Sequence, residues 1–151
     1  MQSERGWRIH SCPMLKIRGV EHVAIAVDDL DAAIAKYGEV LGLSSESREY
    51  VESQKTETVR LPLGGAALEL ICPRGNEGLA RFLERRGPGL HHIAIEVEGI
   101  EDALAFLDGL GVALIDRSPR IGAQGHKVAF LHPKATGGVL VELVDKGEHG
   151  T

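Results

Sequence analysis

Four side chains in this sequence are of types that hold a divalent ion, and they come in two matched pairs. His22 and His92 lie 70 residues apart, and Glu69 and Glu142 lie 73 apart. Imidazole nitrogens and carboxylate oxygens suit first-row divalent ions, and a His2Glu2 set leaves coordination positions open for water or substrate. Glu69 stands in Ala67-Leu68-Glu69-Leu70-Ile71 and Glu142 in Leu140-Val141-Glu142-Leu143-Val144. A carboxylate in the middle of an apolar strand is costly to bury alone, so it needs a cation, a metal or water. Taken singly, each of the four reads as an ordinary core or surface residue. Their recurrence at matching places argues for one shared site.

The recurrence extends well beyond the four residues. Residues 22–37 match 92–107 at six of sixteen positions: His22/His92, Ala24/Ala94, Ile25/Ile95, Val27/Val97, Ala33/Ala103 and Ala35/Ala105. The chain is therefore two copies of one unit. Each unit opens on a strand with a histidine. On the first, His22, Ala24 and Ala26 share one face, and Val23, Ile25 and Val27 share the other, which packs on a helix. Asp28 or Asp29 caps that helix, Leu30, Ala33, Ile34, Tyr37, Val40 and Leu41 form its apolar stripe, and Gly42 ends it. Strands follow at 47–51, 56–61 and 66–71, the last pair joined by a turn at Gly64-Gly65.

Residues 73–88 link the units through a short helix that Asn76 caps. The second unit has a strand at 90–97, a helix from Ile100 to Leu110, and strands at 113–116, 127–131 and 139–144. The fold class is α+β: two βαβββ modules, about 17–72 and 89–146, in a single domain spanning 17–146. Residues 1–16 read as a poorly ordered extension, and Met14 is a candidate start. Parity places His91 on the face opposite His92, and the repeat aligns His91 with Glu21, so His92 is the expected ligand. His126 and His132 fall near loops, and His149 lies in the tail.

At 151 residues, with 43% apolar composition, the chain has the makings of one ordinary globular core. A net charge of -5 argues against nucleic-acid or membrane-surface partners. Cys12 and Cys72 are widely spaced and read as reduced thiols. No apolar run reaches membrane-span length, and no signal peptide is evident, so the expected location is cytoplasmic.

The paired His and Glu strands, with Gly89-Leu90-His91-His92-Ile93-Ala94-Ile95 and the segment from Ile121-Gly122-Ala123-Gln124-Gly125 through Phe130-Leu131-His132-Pro133-Lys134 to Gly137-Gly138-Val139-Leu140-Val141-Glu142-Leu143, resemble a known family. It is the vicinal oxygen chelate, or glyoxalase, superfamily and, within it, the methylmalonyl-CoA epimerases. The resemblance covers about residues 18–145, and the segment from Ile121 is its more specific part. It implies a cup-shaped eight-stranded mixed sheet, a homodimer, and a divalent metal on His22, Glu69, His92 and Glu142. The metal would be cobalt first, with zinc, manganese and nickel as alternatives. It further implies an acyl-CoA substrate, methylmalonyl-CoA, whose 2R and 2S forms are interconverted by removal of the Cα proton. Glu142 matches one acid/base residue. Some members carry a second catalytic glutamate on the strand before Gly64-Gly65; Thr58 stands there, with Glu57 beside it as the candidate. Lys127, Lys134 and Arg120 are available for CoA phosphates. Glyoxalase I-type isomerisation and metal-free small-molecule binding are the alternatives, and a single-glutamate dioxygenase fits Glu69 poorly.

Overall fold

A computed structural model of the chain describes residues 15–147. Most of the expected extension, with Cys12 and Met14, lies outside the described residues, as does His149. Eight strands form one mixed sheet in the order β2-β3-β4-β1-β5-β8-β7-β6. The first unit supplies β1 (Lys16–Ala26), helix α1 (Leu30–Leu41), β2 (Glu49–Val51), β3 (Thr56–Leu63) and β4 (Ala66–Pro73). Helix α2 (Glu77–Arg86) connects it to β5 (Gly89–Glu98), helix α3 (Ile100–Gly109), β6 (Arg120–Ile121), β7 (Lys127–Leu131) and β8 (Val141–Asp145). The two units meet where β1 and β5 run antiparallel. Within each unit the first and last strands run parallel, β1 with β4 and β5 with β8.

The caps are where the local chemistry asks for them. The Asp29 carboxylate accepts from Ala32 N, and Gly42 takes the left-handed conformation (φ 70°) that ends α1. Asn76 caps α2 by accepting from Leu79 N at 2.9 Å. The branched residues of β1 and β5 pack on the outer helices. Val27 and Ile25 join Leu30, Val59 and Leu70 under α1, while Val97 and Ile95 join Ile100, Leu104 and Leu143 under α3. The small face lies on the inside of the sheet, where Ala24 and Ala26 meet Leu79, Phe82 and Leu83 of α2.

One expected strand is replaced. Residues 113–116 form only an isolated bridge, Leu114 to Leu131, and the N–H groups of Ile115 and Asp116 both donate to Phe130 O. That doubling breaks the ladder, and Pro119 lacks the N–H that would resume it at its own position. The edge strand is Arg120–Ile121 instead. β1 begins at Lys16, six residues before the repeated stretch that opens at His22.

Candidate metal centre

The pairing register places the four expected ligands side by side. His22 is opposite Ala94, and Ala94 is in turn the partner of Glu142 on β8. Reciprocally, His92 is opposite Ala24, the partner of Glu69 on β4. Two parallel rows, His22–Ala94–Glu142 and His92–Ala24–Glu69, thus cross the centre of the sheet about a pseudo-twofold axis. Both alanines are fully buried, and their small side chains leave the space over which the imidazoles and carboxylates converge. His22 Nε2 lies 3.3 Å from Glu142 Oε1, 3.5 Å from Glu69 Oε1 and 3.4 Å from His92 Nε2. His92 Nε2 lies 3.1 Å from the same Glu142 oxygen.

A divalent ion suits this donor set. His22, His92 and Glu142 each offer one ligand atom within 4.8 Å of the others, and Glu69 adds a carboxylate on the same side. All four side chains are buried, so the two carboxylates lean on the imidazoles, and Glu69 also on Arg60 across the ladder, to offset their desolvation. The surroundings pull these groups in different directions. Burial pushes the Glu69 carboxyl up, and the Glu142 charge adds to it. Burial also pushes Glu142 up, but hydrogen bonds with His22 and His92 outweigh it and hold the carboxyl at about 2. Burial lowers His22, yet hydrogen bonds to Glu142 and Glu21 raise it to about 10.

The comparisons with known proteins agree with the geometry. Residues 21–130 match the model of the glyoxalase/bleomycin resistance protein/dioxygenase superfamily. The human mitochondrial methylmalonyl-CoA epimerase is 40% identical over 126 residues, covering 82% of this chain and 72% of that one. The methylmalonyl-CoA epimerase structure from Mycobacterium tuberculosis superposes with a TM-score of 0.83 at 34% identity, covering 88% of this chain and 91% of that one. A methylmalonyl-CoA epimerase in complex with methylmalonyl-CoA and NH4+ also gives 0.83, at 30% identity, covering 88% and 97%. This chain belongs to that superfamily, among its methylmalonyl-CoA epimerases.

Epimerase chemistry at Cα asks for groups on the inner face of the cup, and Glu57 is not one of them. It sits on β3 between Thr56 and Thr58, with side chains alternating. Thr56, Thr58 and Arg60 take the inner face, whereas Glu57 shares the outer one with Val59 and Leu61. Its carboxylate pairs there with Arg74 at 2.9 Å and Arg48 at 3.6 Å. Strand parity thus turns Glu57, the expected second acid/base, to the outer face of the sheet, away from the His and Glu cluster.

Strand parity misleads, in contrast, at His91. Between the pairs Ala24–His92 and Ile25–Leu90 the ladder skips a residue of β5, which makes His91 the extra residue of a β-bulge. His91 thereby joins the inner face, its Nδ1 sharing a hydrogen bond with His92 Nδ1 at 2.9 Å. An equivalent bulge on β1, between Val20–Ile95 and His22–Ala94, brings in Glu21. Glu21 was not anticipated as a site residue. Its alignment with His91, a polar residue before each repeated histidine, was the available signal.

A cavity of about 730 Å³ opens beside His92. Lys55, Leu79, His91, Phe130 and Arg120 line it. Of the basic residues considered for phosphates, Arg120 is in this wall, while Lys127 pairs with Glu101 at 2.6 Å outside it. A smaller pocket on the other side of the cluster is lined by Glu21, Arg60 and His126. His132 serves a structural role, its Nδ1 accepting from Lys134 N.

Proposed function

We propose that this chain interconverts 2R- and 2S-methylmalonyl-CoA, with His22, Glu69, His92 and Glu142 holding a divalent ion. The observation that carries the reading is the convergence of two buried carboxylates and two imidazoles from both repeats, in a chain of the epimerase family. When bound, the ion would supply positive charge for the thioester oxygen as the Cα proton leaves. The residues do the rest. Glu142 is buried at the floor of the cup, where both repeats converge, and is the carboxylate placed to take up the Cα proton. Ala24, Ala26, Leu79 and Ile71 keep the adjoining wall apolar, which strengthens each charge interaction at the centre. The 730 Å³ cavity provides room for an acyl-CoA arm, with Lys55 and Arg120 as its cationic groups.

Cobalt is the ion the family resemblance favours, and mixed nitrogen and oxygen ligation suits it as it suits zinc, manganese and nickel. A homodimer fits the exposed apolar side chains Ile17, Val20, Leu90 and Ile93 on the two central strands. Among the described residues no helix is long and apolar enough to cross a membrane. The free thiol of Cys72 accords with cytoplasmic residence.

The test is a coupled assay of 2S product from the 2R thioester. Chelation should abolish turnover, and cobalt(II) should restore it. Glu142→Gln should lower kcat by roughly 10²–10⁴-fold. Full activity of stripped protein, or of Glu142→Gln, would sink the proposal.

A further inference from the structure

The two histidines that face the cluster are backed by unlike groups. Behind His92 stand two aromatic rings: His91 at its Nδ1, and Phe130 edge-on with ring centroids 5.1 Å apart. Their counterparts in the first repeat, offset by the same 70 residues, are Glu21 and Arg60. His22 Nδ1 donates to Glu21 Oε1 at 2.5 Å. Arg60 grips the same carboxylate with both ends, Nη1 to Oε1 at 3.2 Å and Nη2 to Oε2 at 2.7 Å. Lys146 Nζ lies 3.0 Å from Oε2. Glu21 itself is only 3% exposed.

We propose that Glu21 is a positioning residue: held by Arg60 and Lys146, it fixes His22 with Nδ1 protonated and Nε2 aimed at Glu69 and Glu142, and so sets the cluster's affinity for a divalent cation. The inference rests on the metal-site reading above. A neutral imidazole carries one N–H, so a partner that holds it at Nδ1 frees the Nε2 lone pair for coordination. A carboxylate in that position also makes the ring a stronger donor. Glu21 meets the requirement of a fixed support. Both of its oxygens are engaged, and the cations that engage them come from β3 and from the residue after β8, on either side of the central β1–β5 pair. The bulge at Glu21 has no other evident role than to place its carboxylate beside the ring. Since His92 Nδ1 meets only another imidazole while His22 Nδ1 meets a carboxylate held by Arg60 and Lys146, the two histidines are unequal ligands, and His22 is the anchored one.

The experiment titrates cobalt(II) into the metal-stripped full chain. Affinity is read by competition with a chromophoric chelator, and the visible absorption of the bound cobalt is recorded. Circular dichroism and the metal-free melting temperature are followed alongside. Glu21→Gln and Glu21→Ala should weaken cobalt binding by roughly 10–100-fold and alter the cobalt spectrum, with Glu21→Asp restoring part of the loss. The near-isosteric Glu21→Gln keeps the packing, so it decides the matter if Glu21→Ala fails to fold. A lower metal-free melting temperature with unchanged cobalt affinity and spectrum would show a purely structural role and overturn the proposal. His22→Ala is the control for the underlying site. If wild-type protein binds no cobalt, the metal-site reading itself fails. If wild type binds and His22→Ala does not, unchanged affinity in the Glu21 variants overturns only the role of Glu21.

Discussion

Glu57 and Glu142 are both carboxylates on strands, and their surroundings decide which can do chemistry. Glu142 is buried against two imidazoles that hold it ionised, at the convergence of both repeats. Glu57 lies one residue out of phase on its strand and is occupied by Arg74 and Arg48. Glu57→Gln should therefore leave kcat indistinguishable from wild type in the coupled assay. Its stability cost should stay within about 1 kcal/mol, the usual range for a partly exposed ion pair. A large loss of kcat would return Glu57 to the mechanism. The same comparison shows what the residue level of the sequence conveys. Recurrence of His and Glu at offsets of 70 and 73 was enough to select four side chains that the structure brings together. Glu21 stayed hidden because its partners, Arg60 and Lys146, are 39 and 125 residues away with no repeated pattern to link them.

At the level of elements, the centre depends on two small residues and two bulges. Ala24 and Ala94 each occupy the gap between a histidine on one strand and a glutamate on another. A larger side chain has nowhere to go, since both alanines are 0% exposed. Ala94→Val should cost about 1–3 kcal/mol in urea denaturation and weaken cobalt binding as well. Ala94→Val with wild-type stability and affinity would contradict the close packing of that row. Asn76 works at a junction, capping α2 while its Nδ2 donates to Gln54 O at 2.8 Å and Thr56 Oγ1 at 3.1 Å. Asn76→Ala should lose about 1 kcal/mol or somewhat more from the cap alone, checked by the same denaturation. Helices and their caps were legible because periodicity and capping chemistry are local. The bulges were not, because an extra residue in a ladder is defined by the partner strand. For the same reason alternation placed His91 on the wrong face, and residues 113–116 were read as a regular strand.

For the whole molecule, duplication explains why one site needs both halves. Each repeat supplies one histidine and one glutamate, and only the antiparallel meeting of β1 with β5 brings the pairs together. The far edges are also tied. Arg120 Nη1 donates to Ser53 O at 2.9 Å, Ser53 Oγ to Ile121 O at 2.7 Å, and Gln124 N to the Glu49 carboxylate at 3.0 Å. A ligand bound at the centre is thus bound to the folded state alone. Cobalt(II) at a thousand times its dissociation constant should stabilise the protein by about 4 kcal/mol, seen as a rise in melting temperature that His22→Ala abolishes. Epimerisation turns on one proton, the one at Cα, and isotope exchange follows it. Cobalt-loaded protein is incubated with 2R-methylmalonyl-CoA in D2O, and deuterium at Cα is measured together with the 2S form. Metal-dependent deuterium incorporation should accompany epimerisation and be lost in Glu142→Gln. Tight cobalt binding with no exchange and no 2S product would contradict the proposed epimerisation.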